Sequence, residues 1–121
     1  MEEYTIEELR DALQIISSTI SGCEKFQMKF TKGSSQHTLL KNRIRALYIS
    51  RSVITNEKAI DELTTEELME ALRPLSSIIS KCEKAQSNFV EGTSQHIRLK
   101  KMIKAMDISI SLMTDEIKKR G

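Results

Sequence analysis

The sequence is short of the residues that build turns, disulfide frameworks and aromatic cores. It holds one proline, four glycines, no tryptophan, two tyrosines and three phenylalanines in 121 residues. So few chain breakers argue against a many-turned β fold and for long helices rich in Leu, Ile, Lys and Glu. Two cysteines make no disulfide framework, and a reducing, cytoplasmic compartment is the expected setting. No apolar run approaches the roughly 18 residues that a membrane span needs. The opening MEEYTIEELRDAL has no basic segment followed by an apolar core, so no secretory signal is expected. A net charge of +2 is close to balance. It gives no long-range attraction to a membrane or to DNA or RNA, so neither is an expected partner and any anion site must be local.

What is present is a repeat. Shifted by 59 residues, the sequence matches itself without a gap. Cys23-Glu24-Lys25 recurs at Cys82-Glu83-Lys84, and Ser35-Gln36-His37 at Ser94-Gln95-His96. Phe30, Gly33, Leu40 and Lys41 recur as Phe89, Gly92, Leu99 and Lys100. Duplication of a unit of about 55 residues explains one offset shared over most of the chain.

Each unit reads as helix, turn, helix. Thr5 with Glu8, and Thr64 with Glu67, have the spacing of a capping box at the start of the first helix. Leu9, Leu13, Ile16, Ile20, Cys23 and Phe30 then follow at helical spacing, as do Leu68, Leu72, Leu75, Ile79, Cys82 and Phe89. Gly33 and Gly92 are expected to end these helices, with Ser34 or Ser35, and Thr93 or Ser94, capping the next. Pro74 falls inside the third helical pattern and predicts a local kink or a late helix start. The link from Asn56 to Leu63 is short and polar. One hairpin cannot bury its apolar face alone. The expected fold is therefore all-α, with tandem duplicated helical hairpins over 4–58 and 63–119 in a single domain, 1–121. They would form a four-helix bundle with pseudo-two-fold symmetry. Extra apolar residues at Ile49, Val53, Ile108 and Leu112 imply either a broad core face or a homo-oligomer contact.

The repeated Gly-x-Ser-Gln-His turn has the parts of an anion site. A helix start offers free N–H groups and a positive dipole end. Ser35 and Ser94 add hydroxyls, His37 and His96 add imidazoles, and Lys41 and Lys100 stand one turn later on the same face. Gln36 and Gln95 can read a carbonyl or a base edge, and Arg45 and Lys104 are further basic candidates. The competing reading is that Gly and Ser only turn and cap while Gln and His solvate the tip. No Gly-rich phosphate loop, His-Glu-x-x-His or Glu-x-x-His pattern occurs, so no catalytic residue, metal or cofactor is expected. Both cysteines sit on apolar stripes and read as core residues rather than zinc ligands.

The stretch GSSQHTLLKNRIRALYIS and its copy GTSQHIRLKKMIKAMDIS resemble the small phage helical-hairpin proteins that soak up bacterial immune signals, the anti-CBASS and anti-Thoeris nucleotide sponges. The resemblance covers about half of each repeat. It implies a symmetric oligomer that holds a cyclic or otherwise small phosphorylated nucleotide without cleaving it, in the cytoplasm of an infected bacterium. This chain departs from that pattern in being a fused tandem, and Tyr4 and Tyr48 have no tyrosine counterparts in the other copy. The alternative is a helical protein-interaction or scaffold module with no small ligand.

Overall fold

The capping boxes expected from the sequence are formed. In a computed structural model, which describes residues 3–121 apart from the Glu57 side chain, Thr5 caps helix α1 (Ile6–Gln27) and Thr64 caps α3 (Thr65–Gln86). The Glu8 amide donates to Thr5 Oγ1 at 3.0 Å, and the Thr5 amide donates back to Glu8 Oε1 at 2.9 Å. Thr64 and Glu67 repeat both bonds at 3.0 Å. Helices α2 (Ser35–Thr55) and α4 (Ser94–Arg120) complete the fold, and a 3-10 helix (Glu57–Glu62) links α2 to α3. No strand occurs among the described residues.

The four helices form a bundle. Helix α1 packs on α2 and α4, α3 packs on α4 and α2, and α2 also meets α4 across the middle. Ala46 and Ser50 of α2, and Ala105 and Ser109 of α4, are small enough to suit that diagonal. All four are buried, and small side chains four residues apart let helix backbones approach. The two buried hydroxyls are satisfied locally: Ser50 donates to the Ala46 carbonyl at 2.9 Å and Ser109 to that of Ala105 at 3.1 Å. Around this contact sit Ile16, Leu47, Leu68, Leu75, Met106 and Met113, all fully buried. Each such side chain gains about 1.5–3 kcal/mol on leaving water. Both hairpins contribute to this one core.

Three expectations need correction. Phe30 and Phe89 lie outside the helices, because α1 stops at Gln27 and α3 at Gln86. Gly33 and Gly92 therefore do not cap those helices. They have φ of 92° and 94° and precede Ser34 and Thr93, the N-caps of α2 and α4. Pro74 does not delay α3, which begins nine residues earlier at Thr65 and includes it. Glu70, whose carbonyl residue 74 would ordinarily bond, is exposed, so water can serve that carbonyl. As for the surplus apolar residues, Val53 and Ile108 are buried within the chain, and Ile49 and Leu112 pack half-buried against the core. They broaden the core face.

The chain runs up and down. Gln27 of α1 reaches the start of α2 at His37, and Gln86 of α3 reaches the start of α4 at His96. Arg120, at the far end of α4, reaches Thr65 at the start of α3 and the Ile60 carbonyl. Tyr4, Ile54, Ile60 and Leu112 line one cavity, so the N-terminus, the end of α2, the connector and the end of α4 meet there. Both Gly-x-Ser-Gln-His turns consequently lie at the opposite end of the bundle.

Candidate functional site

Each turn is built by short backbone bonds and a single cap. After Gln27 the amides of Lys29 and Phe30 bond back to the carbonyls of Phe26 and Gln27 at 3.1 Å, closing tight turns. Ser34 then takes an extended conformation, and its Oγ accepts from the His37 amide at 3.2 Å. The second copy does the same with Asn88, Phe89 and Thr93, whose Oγ1 accepts from the His96 amide at 3.3 Å. Gln27 Nε2 donates to the His37 carbonyl at 3.3 Å and Gln86 Nε2 to the His96 carbonyl at 3.4 Å. These side chains tie the end of one helix to the start of the next.

Of the candidate ligand-binding residues, Ser35, Gln36, Lys41, Ser94, Gln95 and Lys100 are exposed, and His37 and His96 are half-buried. The Ser35 hydroxyl donates only to neighbouring Gln36 Oε1, and Ser94 to Gln95 Oε1, each at 3.3 Å. Capping is left to Ser34 and Thr93, so the Ser35 and Ser94 hydroxyls face outward from the first turn without a role in ending the loop. Lys41 and Lys100 enter no ion pair among the described residues.

Arg45 and Lys104 do not join this group. They stand eight residues beyond His37 and His96, about 12 Å along the helix at 1.5 Å per residue. Each pairs with the other hairpin: Arg45 with Glu67 at 3.5 Å and Lys104 with Glu8 at 3.0 Å. The acids are the capping-box carboxylates. Glu8 is held below its ordinary 4.5 first by the Thr5 backbone amide and next by Lys104. Glu67 is lowered first by the Thr64 amide, with the Thr64 hydroxyl next and Arg45 contributing less. Both pairs are exposed to solvent and link one hairpin to the other.

Beside each ion pair lies a shallow cavity between hairpins, about 420 Å³ between α2 and α3 and about 330 Å³ between α1 and α4. A third, about 630 Å³, is the one at the connector end. The turns line none of these three, and Ser35, Gln36, Ser94 and Gln95 are exposed to solvent.

Near the turns, Arg43 faces inward where the second copy has Met102. Its Nε is buried and has no hydrogen-bond partner. Cys23 and Cys82 feel its charge, although burial dominates and pushes both thiols above their ordinary 9.0. The thiols are unbonded, and no group of three His, Cys, Asp or Glu gathers as a metal site among the described residues.

Sequence reasoning missed the distribution of charge. The last turns of α1 and α3 with the first turns of α2 and α4, residues 21–41 and 80–100, hold eight Lys and Arg against three Glu. The rest of the chain holds 14 acids against 11 bases. The near-neutral total hid a basic turn end. Compared with known protein families, with curated proteins and with solved structures, the chain matches none.

Proposed function

We propose that this bundle is a non-enzymatic binder that sequesters a small phosphorylated nucleotide, including cyclic ones, at the two Ser-Gln-His helix starts. One observation carries the reading. Ser35, Gln36 and Lys41 are exposed, enter no side-chain hydrogen bond or ion pair with another element among the described residues, and are nonetheless repeated at Ser94, Gln95 and Lys100. Core positions are repeated because both copies must pack, whereas these outward polar positions have no packing reason to match.

In this reading the free amides and the hydroxyls of Ser35 and Ser94 receive phosphate oxygens. His37 and Lys41, with His96 and Lys100, supply further donors, and Gln36 and Gln95 contact base or ribose. Two equivalent half-sites suit a symmetric ligand, and the open surface suits closure by another copy in a homo-oligomer. The resemblance to phage nucleotide sponges supports the ligand class and a bacterial cytoplasmic setting. Arg45 and Lys104, committed to ion pairs with Glu67 and Glu8, take a secondary part at most.

Isothermal titration with cyclic dinucleotides, cyclic trinucleotides and cyclic ADP-ribose tests this. At least one is expected to bind, and His37→Ala/His96→Ala is expected to weaken it at least tenfold with melting unchanged, a loss of about 1.4 kcal/mol. Unaltered affinity in that variant, or no binding across the panel, would remove the proposal.

A further inference from the structure

The turn end is apolar as well as basic. Met28 and Val90, one in each turn, are 85% and 75% exposed. Beside them Phe26 and Leu39 in the first copy, and Phe89 and Ile97 in the second, also face solvent. Phe26 is only partly sheltered, by an edge contact with Phe30 at 5.1 Å between ring centroids. Lys29 lies 5.7 Å from the Phe26 ring, which places a cation against the apolar patch itself. Six large apolar side chains are thus exposed at one end of a small bundle, the end that also holds the excess of bases.

We infer that this end docks on an anionic lipid bilayer, with Met28 and Val90 entering the acyl boundary and the surrounding lysines meeting lipid phosphates. Shape and charge favour that occupant. A second copy placed end to end, with no bound anion between the two, would oppose two basic surfaces. A nucleic acid would call for polar contacts to phosphates and bases, whereas the most exposed side chains here are Met28 and Val90. Exposed apolar side chains at an end with an excess of bases, Glu91 beside Val90 being the one acid in either turn, fit an interface that is apolar below and negatively charged above. No helix of the described residues is long and apolar enough to cross a membrane, so the docking is peripheral. Met28, Val90, Lys29 and Lys32, on which its test falls, are not among the helix-start donors of the nucleotide reading, and each idea can fail without the other.

Co-sedimentation of the intact protein with phosphatidylglycerol/phosphatidylcholine vesicles, beside pure phosphatidylcholine vesicles, tests it. Pelleting is expected with the anionic vesicles and is expected to be at least tenfold weaker with the neutral ones. Met28→Ser/Val90→Ser removes two exposed apolar groups without touching the core and is expected to reduce binding about tenfold or more. Lys29→Gln/Lys32→Gln is expected to reduce it by about fivefold per lysine and to weaken its salt dependence. His37→Ala/His96→Ala should pellet like the parent. Far-UV circular dichroism confirms that each variant is folded. No pelleting with anionic vesicles at low salt would overturn the inference. So would pelleting that survives Met28→Ser/Val90→Ser, since that binding would be general charge attraction, or capture by heparin in preference to the vesicles.

Discussion

Arg43→Met tests how well the interior has been read, because the protein carries its own control. Position 43 corresponds to Met102 at the 59-residue offset, and Met102 packs against the core and accepts from the Thr19 hydroxyl at 3.3 Å. Arg43 instead brings a charge to a half-buried position and leaves its Nε buried without a partner. An unpaired buried donor costs about 1–3 kcal/mol. Methionine removes that cost and fills irregular space well, but the packing of the arginine methylenes is lost. The expected balance is a stabilisation of about 1 kcal/mol, raising the melting temperature by about 4 °C for a chain of this length. Thermal melts followed by circular dichroism read the shift, and urea unfolding with an unchanged slope shows that the unfolded state is unaltered. A melting temperature several degrees lower would refute the reasoning, because the guanidinium would then be holding helices together.

Further outcomes follow from the core, the caps and the turns. Leu47→Ala and Met106→Ala occupy equivalent, fully buried sites. Each is expected to cost about 3 kcal/mol and to keep one unfolding transition by circular dichroism, since both hairpins share a core. Thr5→Ala and Thr64→Ala are each expected to cost about 1 kcal/mol in urea unfolding. The Glu8 and Glu67 carboxyls are held below 4.5 in the folded chain, so the stability they lend is complete above that value and is lost as pH falls through their lowered folded values. A urea midpoint that falls over that acid range in the parent, and falls less in Glu8→Gln/Glu67→Gln, is the expected result. Gly33→Ala and Gly92→Ala meet open space but must adopt φ above 90°, so each is expected to cost about 1–2 kcal/mol in the same assay.

The parts of the fold legible in the sequence were those set by local chemistry and period. Thr5 to Glu8 and Thr64 to Glu67 formed the expected boxes, and Ile16, Ile20, Leu68 and Leu75 are buried as their spacing implies. Phe30 was misplaced because its spacing alone does not show that the backbone had already turned at Met28. Gly33 signals a positive φ but does not say which helix it serves, and here it leads into the Ser34 cap. At the candidate site, Ser35, Gln36, His37 and Lys41 fall together because they are close in sequence. Arg45 and Lys104 part from them because Glu67 and Glu8 arrive from the other hairpin, which no local pattern encodes. The basic turn end was illegible for the same reason: a total of +2 does not reveal that packing sets two basic segments side by side.

The account turns on one surface, present twice, at the turn end of the bundle. Nitrogen-15 NMR of the intact chain titrated with inorganic pyrophosphate tests it most directly. The amides of residues 35–38 and 94–97 are expected to shift and to saturate together, with Tyr4 and Ile60 at the connector end unmoved. Shifts in only one copy, or shifts confined to the connector-end cavity, would contradict it.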